Sequence, residues 1–151
     1  MTIEQMQAVA RSSAIAAGLD PALVMAVIEH ESSWNPWAVR YEPAFYARYI
    51  ASMKLPETEK TMRATSWGLL QIMGQVAREK GFDDKYLTAL CDPINGVVFG
   101  CRKLRECVDR ERHESGSSTA DLTAALLRYN GGSDPSYPII VLGLMDKYHV
   151  Q

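Results

Sequence analysis

The stretch Asp20–Pro36, with the sequence DPALVMAVIEHESSWNP, decides how this chain folds and where its chemistry is placed. Asp20 followed by Pro21 predicts a helix start, because the aspartate can accept from the free N–H groups of the first turn and proline suits the first helical position. Apolar residues then recur at helical spacing at Leu23, Val24, Val27 and Ile28. The stretch therefore predicts a helix with one buried stripe, which must end before Pro36.

One carboxylate of this helix is placed differently from the other. At about 100° per residue, Glu31 falls in the middle of the apolar stripe, whereas Glu29 projects from roughly the opposite face. Burial penalises an ionised carboxylate, so we expect the pKa of Glu31 to be raised. A glutamic acid that stays protonated near neutral pH can donate a proton to a leaving group, as glycoside cleavage requires. The alternative is a glutamate at a helix end whose carboxylate simply reaches water.

Length and composition predict one soluble domain over residues 1–151. A hydrophobic content of 47% and a charged content of 23% are ordinary for a globular protein. A net charge of -2 gives no electrostatic support for a nucleic-acid partner. No apolar run is long enough for membrane insertion, and the first residues lack the pattern of a secretory signal. The cysteines match no metal spacing and are expected to be reduced, and neither a metal nor a cofactor is predicted.

The rest of the chain predicts further helices and no confident strand, so the predicted fold class is all-α. The expected helices cover residues 3–17, 43–53, 67–80, 84–90, 93–112 and 137–148. A further helix is expected to begin at Thr119 or Asp121 and to end at Asn130. Ser66 is expected to cap the helix over 67–80, and Gly81 is expected to end it. Polar loops are expected at 54–63 and 113–118.

Four separated motifs resemble the catalytic domain of soluble lytic transglycosylases, within the superfamily that includes goose-type lysozyme. They are Glu31–Pro36 (ESSWNP), Gly68–Met73 (GLLQIM), Asp92–Asn95 (DPIN) with Gly100 and Leu104, and Tyr129–Gly132 (YNGG). The motifs follow the family's order and cover most of the chain. The resemblance implies a lysozyme-like helical fold with a cleft for peptidoglycan glycan strands. We expect the protein to be a monomer.

The resemblance also implies roles for individual residues. Glu31 would be the single general acid and base in cleaving the bond between N-acetylmuramic acid and N-acetylglucosamine, with the sugar's own C6 hydroxyl closing a 1,6-anhydro ring. The residues expected to bind substrate are Ser32, Gln71, Met73, Tyr129 and Asn130. Each has a structural alternative: core packing for Met73 and Tyr129, a helix cap for Asn130, a helix-end hydrogen bond for Ser32, and a plain surface position for Gln71.

The chain departs from the family pattern between its first two motifs, where Arg40–Arg63 forms a longer connection. Within it, Glu42 or Glu59 could act as a second carboxylate that activates water, which would make the protein an inverting muramidase. Glu42 could equally pair with a nearby arginine. A third alternative is a glycan-binding virion module without catalysis. The motif variants favour a phage protein that acts on the bacterial cell wall in the periplasm, delivered by a virion or released at lysis; a bacterial enzyme fits as well.

Overall fold

The computed structural model describes residues 1–117, 119 and 121–149, and this part of the chain is mostly helical, which confirms the predicted class. Its α-helices are α1 (Ile3–Ala16), α2 (Pro21–Ser32), α3 (Pro43–Phe45), α4 (Glu57–Arg63), α5 (Gly74–Glu79), α6 (Pro93–Ser115), α7 (Leu122–Tyr129) and α8 (Tyr137–His149). A π-helical turn over Tyr46–Ile50 continues α3, and a 3-10 turn covers Leu87–Cys91. Three short strands complete the regular structure: β1 (Val39–Tyr41), β2 (Thr65–Trp67) and β3 (Ile72–Met73).

Aspartates begin three of these helices: Asp20 and Asp92 as predicted, and Asp121 as one of the two starts predicted for its helix. Asp20 Oδ1 accepts a hydrogen bond from the amide of Ala22 at 2.8 Å, and Asp121 Oδ1 accepts one from Thr123 at 2.8 Å. Asp92 Oδ1 binds the amides of the second and third residues after it, at 3.0 and 3.2 Å. Each carboxylate satisfies amides that the first helical turn leaves without partners.

The chain divides into two compact units, and the first comprises residues 1–30 with the described residues from 101 onward. It contains α1, α7, α8 and the larger parts of α2 and α6. Arg128 of α7 pairs with Glu111 and Glu114 of α6 at 2.6 Å each. His30 packs edge-on against Tyr137, with ring centroids 4.8 Å apart.

The second unit comprises residues 31–100 and holds a small antiparallel sheet of order β1-β2-β3. Arg40 of β1 is opposite Ser66 of β2, and Ser66 is in turn opposite Met73 of β3. A core of apolar side chains, including Ile72 and Leu90, is buried in this unit. The prediction of a single domain over 1–151 stays a prediction.

Two predicted elements are wrong. The polar segment 54–63 is not all loop, because α4 occupies Glu57–Arg63. Acidic residues in its first turn and basic residues in its last complement the helix dipole, and Glu59 pairs with Arg63 one turn later. The helix expected over 67–80 begins only at Gly74, because Ser66 lies in β2 and the backbone turns through left-handed conformations at Gly68 and Gln71.

Smaller differences affect element ends. The expected helix over 43–53 is a short α-helix followed by a π-helical turn, and the segment 84–90 contains a 3-10 turn. Helix α6 runs to Ser115, so the expected loop at 113–118 is shorter, and residue 118 lies outside the described residues. Cys91, Cys101 and Cys107 are buried, and none of these three forms a disulfide.

Candidate active site

Glu31 is the second-to-last residue of α2. The part of this helix before Glu29 is buried on every side. All side chains from Ala22 to Ile28 are buried, so the apolar residues form a fully buried segment rather than the single predicted stripe. Both Glu29 and Glu31 are half-buried. The predicted contrast in burial between these two carboxylates is therefore wrong.

The partners of Glu29 show that this carboxylate has a structural role. Lys147 Nζ donates to both of its oxygens at 2.8 and 3.0 Å, and the Tyr148 hydroxyl donates to Oε2. Burial alone would raise the pKa of Glu29, but the hydrogen bonds from Lys147 and Tyr148 and the charge of Lys147 outweigh it and leave the pKa lowered. A carboxylate held ionised in this way is poorly suited to act as an acid.

The chain leaves α2 through a strained turn. The Ser32 hydroxyl donates to the carbonyl of Leu69 at 2.9 Å, which fixes the helix end to the second motif. Ser33 and Trp34 then both have positive φ angles, 50° and 63°. Such conformations cost free energy in residues other than glycine, and they persist where surrounding contacts hold them. Trp34 is buried and anchors the turn.

Gln71 ends a second tight turn. Its φ is 45°, and its side-chain nitrogen donates to the carbonyls of Ala38 at 2.9 Å and Gly68 at 3.0 Å. These two bonds fix which end of the amide is nitrogen. Among the described residues nothing donates to Gln71 Oε1, so this oxygen is available to a ligand N–H or O–H group.

Gly68 and Gly100 allow the second motif to pack closely. A Cβ on Gly68 would lie 2.4 Å from the carbonyl oxygen of Leu90, and one on Gly100 would lie 2.3 Å from Leu70 Cδ1. The amide of Gly68 also donates to Ala38 O at 2.8 Å. Met73 follows in β3, half-buried and directly before α5.

Tyr129 and Asn130 belong to the other compact unit, at the end of α7. Tyr129 is buried, and Lys103 Nζ donates to its carbonyl at 2.7 Å while lying 4.2 Å from the ring centroid. The Asn130 side chain donates to Asp134 O at 3.2 Å and accepts from the Gly132 amide at 3.0 Å. Asn130 is the C-cap residue of α7, which is the structural alternative expected for it, and its side chain bonds the turn that follows the helix.

The two candidate second carboxylates are both paired with arginines. Glu42 accepts from Arg40 Nε at 2.5 Å. Glu59 Oε1 accepts from Arg63 Nε at 2.9 Å and from Arg78 Nε at 3.1 Å.

Within the ranges 1–117 and 121–149 and at residue 119, no group of three His, Cys, Asp or Glu side chains could hold a metal ion. In the same ranges no helix is both long and apolar enough to cross a membrane.

Five of the predicted site residues, Glu31, Ser32, Glu42, Gln71 and Met73, therefore lie in the second unit, and Tyr129 and Asn130 lie in the first. The sequence did not indicate the main-chain carbonyls of Leu69 and Ala38 as the groups that fix Ser32 and Gln71. No side-chain pattern could have identified them, because any residue supplies a carbonyl.

Within the second unit, Glu31 lies at a helix end that Ser32 bonds to Leu69, and Gln71 lies in the turn that follows Leu69. The family model described as "Transglycosylase SLT domain" matches residues 9–136, and the chain belongs to that family. It is also similar to a protein of Enterobacteria phage PRD1 named "Transglycosylase", with 29% identity over 116 residues. That match covers 77% of this chain and 31% of the phage protein, so the chain spans about a third of its length. No solved structure matches the chain significantly.

Proposed function

We propose that this protein is a peptidoglycan lytic transglycosylase with Glu31 as its single general acid and base. The main observation that supports the proposal is that the backbone next to Glu31 is fixed. The following residue, Ser32, is hydrogen-bonded to the Leu69 carbonyl, and Ser33 and Trp34 then have left-handed conformations. Energy stored in backbone strain is common where side chains must be positioned for chemistry. Membership of the transglycosylase family and the intact motif around Glu31 support the same conclusion.

The proposed reaction needs one carboxyl group and no water. Protonated Glu31 gives its proton to the oxygen of the β-1,4 bond between N-acetylmuramic acid and N-acetylglucosamine, and that bond breaks. The resulting carboxylate takes the proton of the muramic acid's C6 hydroxyl as that oxygen bonds to C1. Glu31 ends protonated as it began, and the product carries a 1,6-anhydro ring. The attacking group belongs to the substrate itself, so the reaction gains the rate advantage of an intramolecular step.

Gln71 is the best supported of the proposed substrate-binding residues. Its amide nitrogen is held by two carbonyls, which leaves Oε1 oriented to accept a hydrogen bond from a sugar hydroxyl or N-acetyl group. Ser32 supports the helix end through its bond to Leu69, so we assign it a positioning role. Met73, Tyr129 and Asn130 stay proposed contacts of the glycan.

Pairing of the other acidic residues favours the transglycosylase over the inverting muramidase. A general base must offer an oxygen to a water molecule, and Glu59 already has one of its two oxygens, Oε1, engaged by two guanidinium groups. Glu42 is paired with Arg40. An intramolecular hydroxyl removes the need for a second carboxylate altogether.

The replacement Glu31→Gln tests the proposal, because glutamine keeps the shape of the side chain but cannot deliver the proton. We expect the turnover rate on purified peptidoglycan to fall by about 10²–10⁴-fold, the usual contribution of a general acid. Glu29→Gln is the matched control, two residues earlier on the same helix, and should keep its activity. Circular dichroism must show that both variants are folded. A folded Glu31→Gln protein with undiminished lysis would contradict the proposed role.

We further propose that the protein is a phage product that acts on bacterial cell walls. The similarity to the phage PRD1 protein is consistent with this origin. Delivery by a virion and release at lysis both fit. The expected monomeric state is checked by measuring the protein's mass in solution.

A further inference from the structure

A pocket of about 340 Å³ lies in the second unit, between the inserted connection and α5. Its lining residues are Phe45, Tyr49, Met53, Gln75, Val76 and Glu79. The first three come from the inserted segment after β1, and the others come from α5. Concave pockets of about 300–1,000 Å³ with apolar walls and a few polar groups are typical of ligand sites. None of the roles given to the motif residues involves this pocket.

The polar side chains of the pocket form an ordered chain of hydrogen bonds. Arg63 Nη1 donates to Gln75 Oε1 at 3.0 Å, and Gln75 Nε2 donates to Glu79 Oε1 at 2.8 Å. The charge of Arg63 is itself paired with Glu59. Glu79 is exposed, and in the described part of the chain no lysine, arginine or histidine pairs with it. The pocket therefore combines apolar walls with one negative charge that has no cationic partner.

We propose that this pocket binds the side chain of the diamino acid in a peptidoglycan stem peptide. Such a side chain is a row of methylene groups ending in a primary ammonium group. The methylenes fit beside the rings of Phe45 and Tyr49, whose centroids are 5.0 Å apart, and the ammonium pairs with Glu79. The Arg48 guanidinium, 5.1 Å from the Tyr49 ring centroid, offers a positive charge to the carboxylates of the same stem. This assignment rests on the proposed function, because it makes the stem part of the substrate.

Binding of a synthetic stem peptide to the full chain tests the proposal without any cleavage. Calorimetry should show weaker binding when the peptide's side-chain amine is acetylated, by about three- to fivefold, the effect of one partly exposed ion pair. Glu79→Gln should weaken binding of the free-amine peptide equally and make acetylation irrelevant. Asp83→Asn, which removes an exposed charge outside the pocket, should change nothing. Equal binding of both peptides to the unmodified protein would overturn the assignment.

Kinetics on two substrates separates this inference from the proposed function. On peptidoglycan with intact stems, Glu79→Gln and Tyr49→Ala should raise KM and leave kcat unchanged. On glycan strands stripped of their stems, both variants should match the original protein. Cleavage of both substrates with no change in either variant would overturn the pocket assignment and leave the transglycosylase proposal standing. Amine-dependent peptide binding by a protein that cleaves neither substrate would support the pocket and overturn the transglycosylase.

Discussion

Gly68 occupies a position that no other residue can take without moving main-chain atoms. Its φ is 69°, and an added Cβ would lie 2.4 Å from the Leu90 carbonyl oxygen. We expect Gly68→Ala to lower the free energy of unfolding by about 2–5 kcal/mol, from a left-handed alanine and a collision with rigid backbone. Gly81 has a φ of 85° but open space around it, so Gly81→Ala should cost only about 1 kcal/mol. Urea denaturation measures the free energy of unfolding of both variants. Equal losses of stability would show that the close approach to Leu90 adds nothing to the effect of the left-handed conformation.

Glu29 links the stability of the protein to pH. Its folded-state pKa is lowered from 4.5, so its interactions stabilise the fold above that pH and are lost as pH falls through the lowered value. Glu29→Gln should lower the free energy of unfolding by about 1 kcal/mol at pH 7. The difference between the two proteins should shrink steadily below pH 4.5. Urea denaturation across this range checks the effect, and a constant difference would contradict the linkage.

The motifs selected Glu31 and Gln71 as candidate site residues, and their roles stay proposals. The sequence did not predict the backbone conformations around them. The left-handed turns at Ser33, Trp34 and Gln71 could not be predicted, because such backbone angles are expected of glycine and asparagine. Burial of Glu31 relative to Glu29 was also mispredicted, since a helix buried on all sides has no single apolar face from which to judge.

The end of α2 is the element on which the proposed chemistry depends. Ser32→Ala removes its hydrogen bond to Leu69 and should lower the free energy of unfolding by about 1 kcal/mol. Because this bond holds the residue after Glu31, kcat should fall several-fold while KM changes little. Ser12→Ala is the control: its hydroxyl bonds a carbonyl within its own helix, at 3.0 Å from Val9 O. Unchanged kcat in Ser32→Ala would limit Ser32 to a stabilising role.

Elements that are stabilised by contacts between residues near in sequence were predictable. Elements that depend on contacts with distant residues were not. Helices α2, α6 and α7 begin at aspartates whose capping bonds involve residues two or three positions away. The strands contain only two or three residues each. Strand β1 pairs with β2, which is separated from it in sequence by the inserted segment. Helix α4 has no apolar periodicity from which it could be predicted, and one of its charge pairs is to Arg78, which is distant in sequence in α5.

For the whole molecule, incorporation of water into the product distinguishes a muramidase from a transglycosylase. Digestion of peptidoglycan in ¹⁸O-labelled water should give 1,6-anhydro products without the label, since no water enters the proposed reaction. Mass spectrometry of the products measures this directly. Glu42→Gln should give the same products at a similar rate, because Glu42 is paired with Arg40 and has no proposed role in the step. Labelled reducing ends that disappear in Glu42→Gln would identify an inverting muramidase instead.

At this scale the sequence predicted the helical class and the family, since both follow from helix signals and from motifs spread along the chain. It did not predict two compact units. The boundaries between them fall inside α2, after His30, and inside α6, after Gly100, where a continuous helix gives no compositional sign of a division.

The carbonyl of Ala38 has a consequence for how this protein can be altered by evolution or by engineering. One oxygen receives both the Gly68 amide and the Gln71 side chain, so its position determines where the second motif is held. The Ala38 side chain plays no part in these bonds, and many residues should be accepted there. Insertion or deletion of a single residue between Pro36 and Val39 would instead displace the oxygen itself. The segment is therefore free in composition but fixed in length.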